Sequence, residues 1–142
     1  MMVIHMEGLR KKAAFTLLEL IVTIVIIGIL TGLAIPMFPR AIESTKAKEA
    51  VAGLQSIRSG ERIYRVEEGT YWRTEGVVSD NDTINDTLRT LLDESADRNW
   101  DYSVNATDAD NFTATATRQG GSNNGETITI DQGGTIGGNW TP

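Results

Sequence analysis

The sequence predicts an α+β protein: a long N-terminal helix, its first half a membrane span, packed against a small antiparallel β-meander. Three observations carry this. Residues 20–39 contain no charged side chain and are crowded with Ile, Val and Leu. Residues 47–64 place apolar or small residues in steps of three and four, the period of one helix face. From Trp100 onward the apolar period falls to two, and Gly, Asn and Asp cut the chain into short segments.

The first element is the run "AAFTLLELIVTIVIIGIL", residues 13–30. Ile21, Val22, Ile24, Val25, Ile26, Ile27, Ile29 and Leu30 leave it no wet face, and the rest of the chain is too polar to wrap it. It is too long for a secretory signal, and no A-x-A site follows it. A helix of about 20 apolar residues crosses the roughly 30 Å hydrocarbon layer. Arg10, Lys11 and Lys12 precede the run, which places the N-terminus inside and the C-terminus outside. Glu19 interrupts the pattern. A carboxylate in a span costs about 2.5–3.5 kcal/mol at mid-membrane and less near an end, so it either snorkels to the headgroups or has a partner.

Pro36 and Pro39 follow, with Gly28 and Gly32 just before. Each proline lacks an N–H and crowds the preceding turn, so the helix should break or bend there, or the prolines simply end the span. It should resume at about Arg40. Ala47, Ala50, Val51, Leu54, Ile57, Gly60 and Tyr64 form one stripe; Lys46, Lys48, Glu49, Arg58, Glu61, Arg62 and Arg65 fill other faces. Gly69 is a natural stop. Unbroken from Phe15 to Glu68, the helix would be about 80 Å long at 1.5 Å per residue.

Residues 70–99 read as a connecting region. "TYWRTEGVVSDND" is loop, and "TINDTLRTLLDES" puts Ile84, Leu88, Leu91 and Leu92 on one face of a short helix. Residues 100–142 then supply strands. Trp100, Tyr102 and Val104 share a side, as do Phe112, Ala114 and Ala116, opposite Thr113, Thr115 and Thr117; Ile128 and Ile130 add a third strand. The apolar face of this meander should cover the helix stripe.

Composition narrows the function. Of the 142 residues, 19 are acidic and 13 basic, for a net charge of −6, which speaks against nucleic-acid binding. There is no Cys, and the lone His5 lies near the N-terminus. No catalytic set is assembled, so the expectation is a non-enzyme without a cofactor.

The stretch "KKAAFTLLELIVTIVIIGILTGLAIPMF", residues 11–38, resembles the N-terminus of type IV pilins and of the related pseudopilins of type II secretion systems. The resemblance implies that residues 1–14 are a leader. A prepilin peptidase would cut between Ala14 and Phe15 and N-methylate Phe15. The family has Gly before the cut; Ala14 is the next smallest residue, and cleavage is expected to survive. Residues 15–39 become the polymerisation helix, 40–69 its amphipathic continuation, and a sheet-backed helix is the fold implied. Cleavage would leave an ammonium on Phe15 in an apolar setting. Glu19 of one copy could then meet the Phe15 amine of its neighbour and set the register between subunits.

The function implied is structural subunit of a type IV pilus-like filament. Alternatives are a secretion pseudopilin, a minor pilin, or a plain single-span anchored domain. Implied partners are further copies of the chain, the peptidase, membrane lipid, and an inner-membrane assembly platform with its ATPase. The protein would reside in the inner membrane and afterwards in an extracellular filament or periplasmic pseudopilus.

Two weaker signals remain. Asp80, Asp82, Asp86, Asp108 and Asp110 lie in oxygen-rich stretches that could hold Ca²⁺, with Asp108 and Asp110 the weak candidates; turn and cap roles are the better reading. Asn81, Asn85, Asn105, Asn111 and Asn139 each have Thr two places on, the N-glycosylation acceptor pattern.

Overall fold

The computed structural model describes residues 15–35, 38–72, 76–106 and 108–140. They fall into two compact units that divide after Phe38. The first holds α1 (Leu17–Ala34), 18 residues with no buried side chain. Ile35 has helical dihedrals and donates its N–H to the Thr31 carbonyl; Pro36 and Met37 lie outside the described residues.

The second unit is built on α2 (Phe38–Glu68), which starts two residues earlier than the sequence suggests. Pro39 sits in its first turn, where the missing N–H has no helical partner to lose. A short helix, α3 (Asn81–Leu88), follows, capped by Asp80, whose carboxylate accepts from the Thr83 N–H at 3.2 Å. Four strands then form an antiparallel sheet: β1 (Trp100–Asn105), β2 (Thr113–Arg118), β3 (Thr127–Asp131) and β4 (Ile136–Gly138), in that spatial order. This is the α+β architecture expected. The fourth strand was not anticipated, because "IGG" has neither length nor alternation to announce it.

The period-2 faces are realised in register. Tyr102 lies opposite Ala116, and Ala116 opposite Ile128; Val104, Ala114 and Ile130 form the next layer. All six are buried and join Ala50, Leu54 and Ile57 of α2 in one core. Small alanines on the inner strand leave room for a helix to lie close. Gly60 of α2 is used the same way: a Cβ there would meet the Leu88 carbonyl oxygen at 2.5 Å.

Polar groups also join the layers. Arg118, 2% exposed at the end of β2, donates to both carboxylate oxygens of Glu43 on α2 at 3.1 Å. It donates as well to the carbonyls of Asn99 and Gln119. These charged hydrogen bonds hold the Glu43 carboxyl below its ordinary range.

Two side chains depart from the sequence expectation. Leu91, assigned to the buried face of a short helix, is 99% exposed. The helix ends at Leu88 because Arg89 turns left-handed at φ 54. Glu61, assigned to a wet face, is fully buried. Arg58 and Arg65 flank it by three and four residues, yet both reach elsewhere: Arg58 to the Gln132 and Gly133 carbonyls, Arg65 to Asp110. The Glu61 Oε2 accepts from the Trp72 N–H at 2.9 Å, and Oε1 has no hydrogen-bond partner among the described residues. Burial pushes its carboxyl up from 4.5 to about 7.

Two predictions follow from this packing. In an open helix Gly→Ala gains about 1 kcal/mol, but overpacking against a backbone carbonyl costs about 1–3 kcal/mol. Gly60→Ala should therefore lower stability in urea unfolding, where a free site would gain. For Glu61, the folded state holds its proton up to about pH 7 while the unfolded chain releases it near 4.5. Stability should thus be full below pH 4.5 and fall as pH rises towards 7, by on the order of 3 kcal/mol. Glu61→Gln keeps an acceptor for Trp72 and should flatten that slope, raising the melting temperature at pH 8 but not at pH 4.5.

Candidate functional site: the apolar helix and its carboxylate

By length and composition α1 can cross a membrane, with a mean hydropathy of 2.6 over Leu17–Ala34. At 1.5 Å per residue it spans about 27 Å, close to the hydrocarbon thickness. Its Thr23 and Thr31 hydroxyls donate to the Leu20 and Ile27 carbonyls within the helix, which hides their polarity from an apolar surrounding.

Glu19 lies in the first turn, and the helix itself supplies its partner. Thr16 is the N-cap. Its hydroxyl oxygen accepts from the Glu19 N–H at 3.2 Å, while the Thr16 N–H and hydroxyl donate to Glu19 Oε2 at 3.2 and 3.1 Å. This reciprocal capping box satisfies two helix-end donors. The motif was legible: Thr16-x-x-Glu19 ahead of an apolar run is its signature, and Thr16 was passed over. Glu19 is therefore held within its own helix. Both Thr16 bonds to the carboxylate end on Oε2, and no hydrogen bond reaches Oε1 among the described residues.

Phe15 is 82% exposed immediately before the cap. Ala14, the other half of the expected cleavage site, lies outside the described residues, as does Pro36.

Three of the acidic candidates, Asp80, Asp108 and Asp110, have structural work. Asp108 Oδ1 accepts from the Asp110 and Asn111 N–H groups at 2.8 and 2.7 Å, a turn that carries Asp110 to Arg65 at 2.8 Å. Asp80 caps α3. Asp82 feels Glu94, Asp86 and Asp80, whose charges raise its carboxyl. Among the described residues, no group of three or more His, Cys, Asp or Glu is arranged to hold a metal. Of the glycosylation patterns, Asn81 is buried between the Asp93 carbonyl and the Tyr102 N–H, and Asn85 is bound to Leu92. Asn105, Asn111 and Asn139 are exposed.

Comparison with known proteins agrees with this geometry. The family described as "Type IV minor pilin ComP, DNA uptake sequence receptor" matches residues 36–129. The "Prokaryotic N-terminal methylation motif" matches residues 9–35, which include the apolar helix and its cap. Type II secretion system core protein G of Aeromonas hydrophila is 33% identical over 66 residues, 46% of each chain. The same protein of Vibrio cholerae is 30% identical over 70 residues, 49% of this chain and 48% of that one. That of Pectobacterium carotovorum is 35% identical over 69 residues, 49% of this chain and 44% of its own length. The chain thus spans less than half the length of these curated relatives. No solved structure matches significantly. An apolar helix with a capped acid, a methylation motif over it, and a sheet-backed second unit matched over most of its length have one common meaning: the chain belongs to the type IV minor pilin ComP family, among the pilins and pseudopilins.

Proposed function

We propose that the chain is a structural, non-catalytic subunit of a type IV pilus-like filament, cut between Ala14 and Phe15 and polymerised through α1. The observation that carries this is a helix of 18 residues with no buried side chain in its own chain, headed by Glu19. Such a surface is stable in lipid or against other copies of itself, not in water. Before assembly the chain would sit in the inner membrane with its N-terminus inside. Afterwards its spans would pack as a bundle, drawn out by an assembly platform and ATPase.

The capping box fits both states. Cleavage before Phe15 leaves the Thr16 amide in place, so Oε2 keeps its partners. Oε1 remains for an ammonium, that of Phe15 on a neighbouring copy. Breaking a buried ion pair by removing one partner costs about 3–5 kcal/mol, enough to decide assembly.

The relatives favour a second reading, a pseudopilin of a type II secretion system. The match over residues 36–129 is to a minor pilin, and that weighs towards the pilus. The receptor role in that family's description is not carried over. Residues 39–142 hold 10 basic and 17 acidic side chains. Lys46, Arg65, Arg89, Arg98 and Arg118 are engaged in ion pairs and Arg58 binds carbonyls, which leaves Arg40, Lys48 and Arg62 as the exposed cations without an ion pair among the described residues. Duplex DNA needs cations that are open to phosphate.

Two experiments test the proposal. Glu19→Ala and Glu19→Gln should both leave a membrane-bound protein whose sequenced N-terminus is Phe15, with filament yield down by about tenfold or more. Gln preserves the cap but not the charge, so normal filaments from Glu19→Gln would refute the pairing. Deleting the gene should abolish surface fibres; intact fibres with failed protein secretion would instead select the pseudopilin.

A further inference from the structure

The second unit carries a knob and a hole on opposite edges of its sheet. The knob is Leu91, fully exposed between Thr90 and Leu92, which are 6% and 8% exposed. The loop that displays it is held firmly. Asn85 Oδ1 accepts from the Thr90 hydroxyl and the Leu92 N–H, each at 2.8 Å, and its Nδ2 donates to the Leu92 carbonyl at 3.0 Å. Asn81 Nδ2 donates to the Asp93 carbonyl at 2.7 Å, while its Oδ1 accepts from the Tyr102 N–H of β1. Arg89 grips Glu67 through two bonds of 3.0 and 3.2 Å. A bare leucine in a mobile loop would need no explanation. One fixed by so many hydrogen bonds is a pre-organised anchor, since its ordering cost is met before any contact forms.

The hole is a groove of about 470 Å³ between α2 and the β4 edge. Ala47, Val51, Ile128, Ile136 and Trp140 form its walls, and Lys48 lies at its rim. Lys48 makes no ion pair among the described residues, and positions 44, 45, 51 and 52 around it hold no carboxylate. Asp93 and Glu94 stand two and three residues after Leu91 and are exposed; Glu94 Oε1 also accepts from Asn85 Nδ2. Hydrogen bonds from Ser95 hold the Asp93 carboxyl below its ordinary range, which favours its charged form.

We infer that Leu91 of one copy docks into this groove of a second copy, with Asp93 and Glu94 meeting Lys48. The chain cannot make the contact with itself. The knob lies beside β1 and the hole beside β4, with two strands between them. A patch on one edge that fits a different patch on the other edge is heterologous, and leaves a free knob and a free hole on every pair formed. Such a contact adds copies without closing on itself. The inference rests on the filament reading above and gives it a second contact, independent of α1.

The chain has no Cys, so cross-linking can be read cleanly. The full-length Ala96→Cys, Gln55→Cys variant, which keeps Leu91 and puts one thiol on the exposed loop beside it and one in the groove, treated in cells with a short bis-maleimide, should give a ladder of dimers, trimers and higher species on denaturing gels. Either single variant should give at most dimers. Lys48→Glu in the double-Cys background should cut the ladder about threefold or more, and Glu94→Lys should restore it. Fibres are scored in the same cells. A ladder together with fibres supports both readings, and a ladder without fibres keeps this contact and removes the filament. Fibres without a ladder overturn the contact, and the absence of both overturns both.

Discussion

An 18-residue helix that is apolar all round cannot be reconciled with water by the chain that carries it. The core of the second unit is already filled by one face of α2 and one face of the sheet. Burying one large apolar side chain is worth about 1.5–3 kcal/mol, and α1 leaves a dozen of them uncovered. That deficit is the constraint behind the remaining design. The helix must always have an apolar surrounding, so each polar group on it must be answered within the helix or by whatever replaces lipid around it. The Thr23 and Thr31 hydroxyls take the first course, and Glu19 combines the two.

The second unit meets the opposite problem: a thin core with much polar surface. Its helix and sheet are tied by Arg118 and Glu43, whose desolvation is offset by a bidentate pair and by carbonyl bonds around the guanidinium. Glu61 shows what happens without such a partner. Its neighbours on α2 are committed to Asp110 and to the turn after β3, so below about pH 7 the carboxyl keeps a proton instead of finding a cation. A unit stabilised this way is most robust in mildly acidic surroundings.

Much of this was legible in the sequence, and the misses share a cause. Periodicity located the stripe of α2 and the inner faces of three strands, because burial there depends on spacing alone. It failed where a single backbone choice overrides spacing. Leu91 kept the helical step after Leu88, but Arg89 turned left-handed and threw it outward. Glu61 kept a charged identity that argues for solvent, but the segment at Trp72 folded over it. The strand at Ile136–Gly138 is three residues long and exposed throughout, so no apolar signal could mark it. At the membrane end the carboxylate was found by its oddity, whereas its partner Thr16 looked ordinary.

That pairing changes what Glu19 asks of its surroundings. A lone acid in hydrocarbon would compel assembly, and an unassembled copy could scarcely persist in a membrane. With Oε2 capped by Thr16 the cost of waiting is lowered, because the acid completes the helix end that would otherwise expose its N–H groups. The remaining oxygen is still open to a donor, and in an apolar setting the carboxylate favours a cationic one. A helix built this way is tolerable when alone and better when joined, which is the balance that the filament proposed above requires of its subunit. The same division recurs at the knob and groove of the second unit. Each is internally stable, held by hydrogen bonds in one case and by core packing in the other, and each leaves apolar surface and an opposite charge that a second copy can complete.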